Sequence, residues 1–95
     1  MAAYLIAEVD VLDPNMFEQY KQLVPPTIAA FGGKYIARGT RVETLEGNWP
    51  GKRLVIVEFE SVEKAKEWWD SAEYSEAKKV RQQCAQSTII VVEGV

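Results

Sequence analysis

The hydrophobic pattern of this chain predicts an α+β fold: one four-stranded antiparallel sheet with helices on one face. Three observations carry the prediction. First, segments with period-two alternation and segments with a period near 3.6 follow one another as β-α-β-β-α-β, the split βαβ or ferredoxin-like plan. Second, the two halves echo each other, Leu5-Ile6-Ala7-Glu8-Val9-Asp10 paralleling Val55-Ile56-Val57-Glu58-Phe59-Glu60. Third, the strands are apolar on both sides. Strand one sets Leu5, Ala7 and Val9 against Tyr4, Ile6 and Glu8, and strand three sets Val55, Val57 and Phe59 against Leu54, Ile56 and Glu58. The last strand sets Ile89, Val91 and Glu93 against Thr88, Ile90 and Val92. A sheet with one wet face alternates apolar and polar. The face left bare by the helices is therefore expected to meet a second copy of the chain, giving a homodimer.

The elements follow in order. Strand one spans residues 3–11. Asp13-Pro14 starts a helix, because aspartate caps well and proline suits the first helical position, where its missing N–H has no partner. Phe17, Tyr20, Val24, Ile28 and Phe31 recur at helical spacing and should face the sheet, while Pro25-Pro26 is expected to break or kink the helix. Gly32-Gly33 ends it, one glycine serving as the left-handed cap. Strand two is predicted over residues 34–45 and strand three over 53–59, joined by the long connection Glu46-Gly47-Asn48-Trp49-Pro50-Gly51-Lys52. Ser61 caps a second helix holding Val62, Ala65, Trp68 and Trp69, of which one tryptophan should be core and the other partly exposed. Ser71 caps a further helix carrying Tyr74, Ala77, Val80, Arg81 and Cys84, and the last strand is predicted over residues 87–93. Right-handed crossovers then place strands one and three at the centre of the sheet.

Ninety-five residues at 47% hydrophobic and 26% charged content are expected to form a single globular domain over residues 1–95. A net charge of -3 opposes a nucleic-acid partner, which calls for a basic patch. No apolar run reaches the roughly 20 residues that span a bilayer, and no basic region precedes the first apolar run, so neither a membrane partner nor a signal peptide is expected. One cysteine, Cys84, fits a reducing cytoplasm and reads as a small core residue. The chain has no histidine. A zinc site or a histidine-dependent triad is thereby excluded within one chain, and neither a metal nor a resident cofactor is expected. Any chemistry falls to carboxylates, arginine, tyrosine or tryptophan, or to a cofactor brought in from solution.

A set of short pieces in fixed order resembles a known family. They are Phe31-Gly32-Gly33-Lys34-Tyr35, Ala37-Arg38-Gly39, Leu45-Glu46-Gly47-Asn48-Trp49, Arg53 opening strand three, Ser71-Ala72-Glu73-Tyr74, Arg81, and Val92-Glu93-Gly94. Together they run across nearly the whole chain and resemble the Domain of Unknown Function 1330 family. The resemblance implies a dimeric α+β barrel, two four-stranded sheets facing each other across an interior. Relatives of that architecture include cofactor-free monooxygenases, isomerases and small-ligand binders. The family itself brings no established reaction, and fold does not fix chemistry.

Charged and aromatic residues among apolar neighbours are the candidate site. Arg38 alternates with Ile36 and Thr40 and is expected on the side of Ile36, close to Glu58 in a hairpin of strands two and three. It would hold a ligand carboxylate by paired hydrogen bonds, or form a structural ion pair with Glu58, or lie exposed at the edge. Arg81, on the stripe of Tyr74, Ala77 and Cys84, either anchors its helix to backbone carbonyls or reaches into a pocket. Tyr74 and Tyr20 are hydrogen-bond donors or buried rings seeking a partner. Glu8 and Glu58 are the candidate acid–base carboxylates, each able to serve alone with a pKa raised by an apolar interior, or else to line a wet interface. They are expected toward opposite ends of the sheet. Glu46, Trp49 and Arg53 frame the long loop, which would close over a pocket mouth or lock the partner subunit. Gly32, Gly33, Gly39 and Gly47 read as turn and bulge positions.

The leading expectation is a homodimer that binds a small anionic or aromatic molecule in the barrel interior, through Arg38, Arg53, Arg81, Tyr74 and Trp49. Its alternatives are a cofactor-independent enzyme, an isomerase or monooxygenase using Glu8, Glu58 or Tyr74 with an arginine, and a structural dimer without a ligand.

Overall fold

Local rules build the elements of the structure, a computed structural model that describes residues 1–39 and 41–95. Alternating residues form β1 (Ala3–Val11), and Asp13 caps α1 (Pro14–Ala30) by accepting the amide of Met16 at 3.2 Å. The chain continues through β2 (Lys34–Ala37), β3 (Arg53–Phe59), α2 (Val62–Trp69), α3 (Ala72–Cys84) and β4 (Ala85–Glu93). Ser61 and Ser71 cap α2 and α3 with their hydroxyls, each accepting an amide at 3.1 Å. At the end of α1, Gly33 N–H donates to Ile28 and Gly32 N–H to Ala29 while Gly32 takes a φ of 74°. This is the paired closure that a left-handed glycine permits.

All strand pairs are antiparallel, in the order β2-β3-β1-β4, so β1 and β3 are central as expected. The helices cover one face. Beneath them lie Leu5, Ala7, Val9, Val57 and Phe59 from the sheet, with Phe17, Val24, Ile28, Ala65, Trp68, Tyr74, Ala77 and Cys84 from the helices, all buried. The opposite face carries Tyr4, Ile6, Leu54 and Ile56 half-buried and Ile90 and Val92 exposed. The two-sided apolar character is real, and the described residues cover only one side.

Three sequence expectations are corrected. Pro25 and Pro26 sit inside α1, which runs on through them, so of the expected break or kink the break is not found. Two internal prolines forfeit hydrogen bonds, but Val24 and Ile28 are packed against the sheet on either side, and the Thr27 hydroxyl donates to the Val24 carbonyl at 2.7 Å. Packing of the apolar face outweighs the local penalty. The last strand begins at Ala85, directly after α3, rather than at residue 87. The amides of Leu12 and Asp13 both donate to the Cys84 carbonyl there, which ties the start of α1 to the end of α3.

The third correction concerns β2, which stops at Ala37; the described residues between it and β3 form no strand. Thr40, the third member of the expected Ile36-Arg38-Thr40 alternation, lies outside the described residues. Gly39 has a φ of 64°, and a Cβ placed there would collide with the Leu54 carbonyl. Only glycine lets the two backbones approach so closely. A bulge precedes it: Tyr35 pairs with Val57 but Ala37 with Ile56, so Ile36 is an extra residue. One extra residue turns everything after it to the other face.

Candidate functional site

The bulge decides where Arg38 goes. Instead of following Ile36, Arg38 lies over the ring of Tyr35, its guanidinium carbon 3.8 Å from the ring centroid, on the helix side of the sheet. The expected closeness to Glu58 is not found, because the register sets Lys34, not Arg38, across from Glu58.

Arg38 and Tyr35 border a cavity of about 410 Å³ between the sheet and α1 and α3, a size ordinary for small-molecule sites. Its floor is Leu5, Ala7, Val9, Val55, Val57 and Ile89, and its walls include Phe17, Tyr20, Tyr35, Trp68 and Tyr74. Arg53 reaches it from the first position of β3, its guanidinium 5.7 Å from the Phe17 ring centroid. Arg81 reaches it from the last turn of α3 and is only 5% exposed. All three arginines singled out in the sequence therefore line one cavity. The cavity lies beneath the helices, not on the open sheet face where the sequence reading placed the ligand.

The electrostatics are lopsided. Glu18 is the one carboxylate among the lining residues, and Lys21 holds it at 2.8 Å. Among the described residues none of the three arginines makes an ion pair. A chain with a net charge of -3 thus gathers three arginines, unpaired among the described residues, around one apolar cavity. For Arg81 this is costly, since a buried cation without a counter-charge forfeits several kcal/mol of hydration.

Among the described residues Arg81 does not anchor its helix to a carbonyl. Its hydrogen bond among the described residues runs from Nε to the Tyr74 hydroxyl at 3.3 Å, and that hydroxyl lies 2.9 Å from the hydroxyl of Tyr20. Tyr74 is fully buried, its ring stacked on Trp68 at a centroid distance of 3.9 Å. Trp68 is the core tryptophan, its indole N–H donating to Thr27 at 3.0 Å, and Trp69 is the half-buried one. Burial, with Tyr74 adding to it, holds the Tyr20 hydroxyl far above the usual tyrosine range. Burial also raises Tyr35, against the pull of Arg38. Cys84 is a fully buried free thiol, raised mainly by burial and then by Asp13, and its place is in the core.

The other candidates lie elsewhere. Glu8 is on the open face and pairs with Lys52 at 3.3 Å. Glu58 is on the same face, opposite Tyr4 where Glu8 is opposite Leu54. The four-residue offset separates them by about 13 Å along the strand, so they are far apart, as expected, and neither lines the cavity. Trp49 is half-buried, with an indole N–H that is buried and unpaired among the described residues, but it does not line the cavity. Among the described residues no cluster of His, Cys, Asp or Glu is arranged to hold a metal ion, and no helix is long and apolar enough to cross a membrane.

Tyr35 and the Lys21–Gln22 segment are lining residues that the sequence reading did not single out. Tyr35 was hidden because residues i and i+3 of a regular strand point to opposite faces, and only the bulge unites it with Arg38. Gly39 was the available signal. Lys21 and Gln22 stand four residues before Pro25 and Pro26, so their carbonyls have no helical N–H donor. The prolines themselves pointed to them.

Comparison with solved structures places this geometry on a known fold. The chain superposes with a TM-score of 0.76 on a protein of unknown function from Rhodopseudomonas palustris, at 22% identity, covering 99% of this chain and 82% of that one. It superposes with a TM-score of 0.67 on a dimeric ferredoxin-like protein of unknown function from Bacteroides fragilis, at 14% identity, covering 98% and 96% of the two chains. A third likeness is to SnoaB, a cofactor-independent oxygenase from Streptomyces nogalater, with a TM-score of 0.66 at 11% identity and coverage of 99% and 93%. At such identities these likenesses establish the ferredoxin-like fold. No curated protein matches the sequence. The family model described as Domain of unknown function (DUF1330) matches residues 2–95, and the chain belongs to that family.

Proposed function

We propose that this protein binds a small anionic, aromatic molecule in the cavity beneath its helices. One observation carries the reading: Arg81, 5% exposed and without a carboxylate partner among the described residues, shares an apolar cavity with Arg38 and Arg53. A cation buried without a counter-ion is a place prepared for one, and the aromatic walls favour a flat ligand. Calorimetric titration with benzoate tests this. Binding is expected, with Arg81→Met lowering affinity at least about tenfold, or 1.4 kcal/mol. Equal affinity for benzoate and benzamide would refute the anion preference.

The open face is proposed to pair two copies into a facing-sheet dimer. Exposed Ile90 and Val92 beside Ile6, Leu54 and Ile56 make a patch of the kind that marks an interface, and the Bacteroides fragilis protein is dimeric. A reducing cytoplasm suits the lone buried Cys84. A second reading, a cofactor-independent enzyme, draws on the likeness to SnoaB. Its acid–base work in the cavity would fall to Tyr20 and Tyr74, since Glu8 and Glu58 lie on the other face. Turnover of quinol-like substrates, kept in Glu58→Gln and lost in Tyr74→Phe, would favour it.

A further inference from the structure

The geometry points to a ligand of the phenol or enol class bound as its oxyanion, with the Tyr20 hydroxyl as the terminal donor to the anionic oxygen. This inference rests on the ligand-binding reading of the cavity and narrows its chemistry.

The direction of the tyrosine relay is set by what each member is able to do. A guanidinium has donors and no acceptor, so Arg81 Nε donates to the Tyr74 oxygen at 3.3 Å. Tyr74 has 0% exposure, and the acceptor within reach of its own proton, among the described residues, is the Tyr20 oxygen at 2.9 Å. A buried hydroxyl proton without an acceptor is costly. The relay therefore runs from Arg81 through Tyr74 to Tyr20. Tyr20 accepts from Tyr74, which turns its own proton away from that bond. Tyr20 lines the cavity, and its O–H is on offer to the occupant. Burial keeps the Tyr20 proton in place, so the group is a donor and not a base.

What the donor faces follows from charge. Bonds in a chain headed by a cation polarise one another, and Arg53 and Arg38 add positive potential from the same cavity. The lining carboxylate, Glu18, is taken by Lys21. A neutral phenol accepts the same bond from Tyr20, but the cations around the cavity favour the charged form, and no free carboxylate among the lining residues competes for the phenol proton. A phenolate or enolate accepts from Tyr20 with one oxygen and sets its flat carbon frame against Phe17, Tyr35 and Trp68. On binding, the ligand O–H bond breaks heterolytically. The electron pair stays on oxygen and the proton passes to buffer, so no oxidant is involved.

The test uses 4-nitrophenol, whose phenolate is coloured, titrated through pH with and without excess protein, alongside calorimetry with benzoate. The bound probe is expected to titrate at least about one pH unit below the free probe, equal to about tenfold preference for the anion. Tyr20→Phe is expected to lose most of that shift, whereas Glu58→Gln, on the open face, should keep both the shift and benzoate binding. An unshifted probe on wild-type protein, or an undiminished shift in Tyr20→Phe, overturns the donor assignment while benzoate binding leaves the cavity reading standing. If neither probe binds, both fall. The wild-type titration decides the oxyanion preference even where the variant fails to fold.

Discussion

Tyr74→Phe is the perturbation whose cost the structure defines most narrowly. The ring stays, with its stack on Trp68, and only the hydroxyl is removed. That hydroxyl receives the hydrogen bond from Arg81, a cation 5% exposed. A hydrogen bond to a charged group is worth about 1.5–3 kcal/mol, whereas Tyr20 still faces the cavity and is able to re-pair. Tyr74→Phe should therefore destabilise by about 2 kcal/mol, lowering Tm by roughly 8–16 °C for a chain of this size. Arg81→Met removes the buried charge itself along with its desolvation cost, so it should destabilise by less than about 1 kcal/mol. The double variant should be no less stable than Arg81→Met alone, a coupling of about 2 kcal/mol between the two sites. Urea unfolding followed by tryptophan fluorescence, at one fixed protein concentration because association shifts apparent stability, measures all three. Tyr74→Phe within about 0.5 kcal/mol of wild type, or strictly additive changes, would refute the claim that Tyr74 satisfies Arg81.

Three further outcomes are expected. Gly39→Ala places a side chain against the Leu54 carbonyl at a left-handed φ; it should lose at least about 1–2 kcal/mol in urea unfolding and weaken benzoate binding, since Arg38 is displaced with the turn. Ile56→Glu, on the open face, should shift the protein from dimer to monomer in sedimentation equilibrium, and an unchanged dimer would place the interface elsewhere. Raised folded-state pKa values at Tyr20 and Tyr35 mean that the folded state holds these protons more tightly than the unfolded chain. Their contribution is whole below the ordinary tyrosine value of 10.0 and is lost as pH rises beyond it. Stability should fall with increasing pH above that value, and Tyr20→Phe should flatten the fall.

How much of the site was legible depended on the range of the signal. Arg81 and Tyr74 were visible as polar residues in an apolar stripe and Arg53 as a charge at the end of the long loop, and all three line the cavity. Glu8 and Glu58 were visible for the same reason but belong to the other face, because alternation assigns a side of the sheet without saying which side holds a cavity. Trp49 does not line the cavity, and an aromatic in a long loop looks the same in sequence whether it closes a pocket mouth or reaches a partner subunit.

Short-range signals alone specify the order of elements, all three helix N-caps, the glycine closure of α1, the central placement of β1 and β3, and a sheet apolar on both sides. These are consequences of periods of two and 3.6 and of hydrogen bonds spanning a few residues, so a window of ten residues holds the information. The folded chain shows instead that α1 runs through Pro25 and Pro26, that one extra residue at Ile36 swings Arg38 to the helix side, and that three arginines unpaired among the described residues converge beneath α1 and α3. Those outcomes depend on energies exchanged between segments far apart in the chain: the packing that overrides a proline penalty, the backbone approach that only Gly39 allows, and the hydrogen bond across 54 positions that joins Tyr20 to Tyr74.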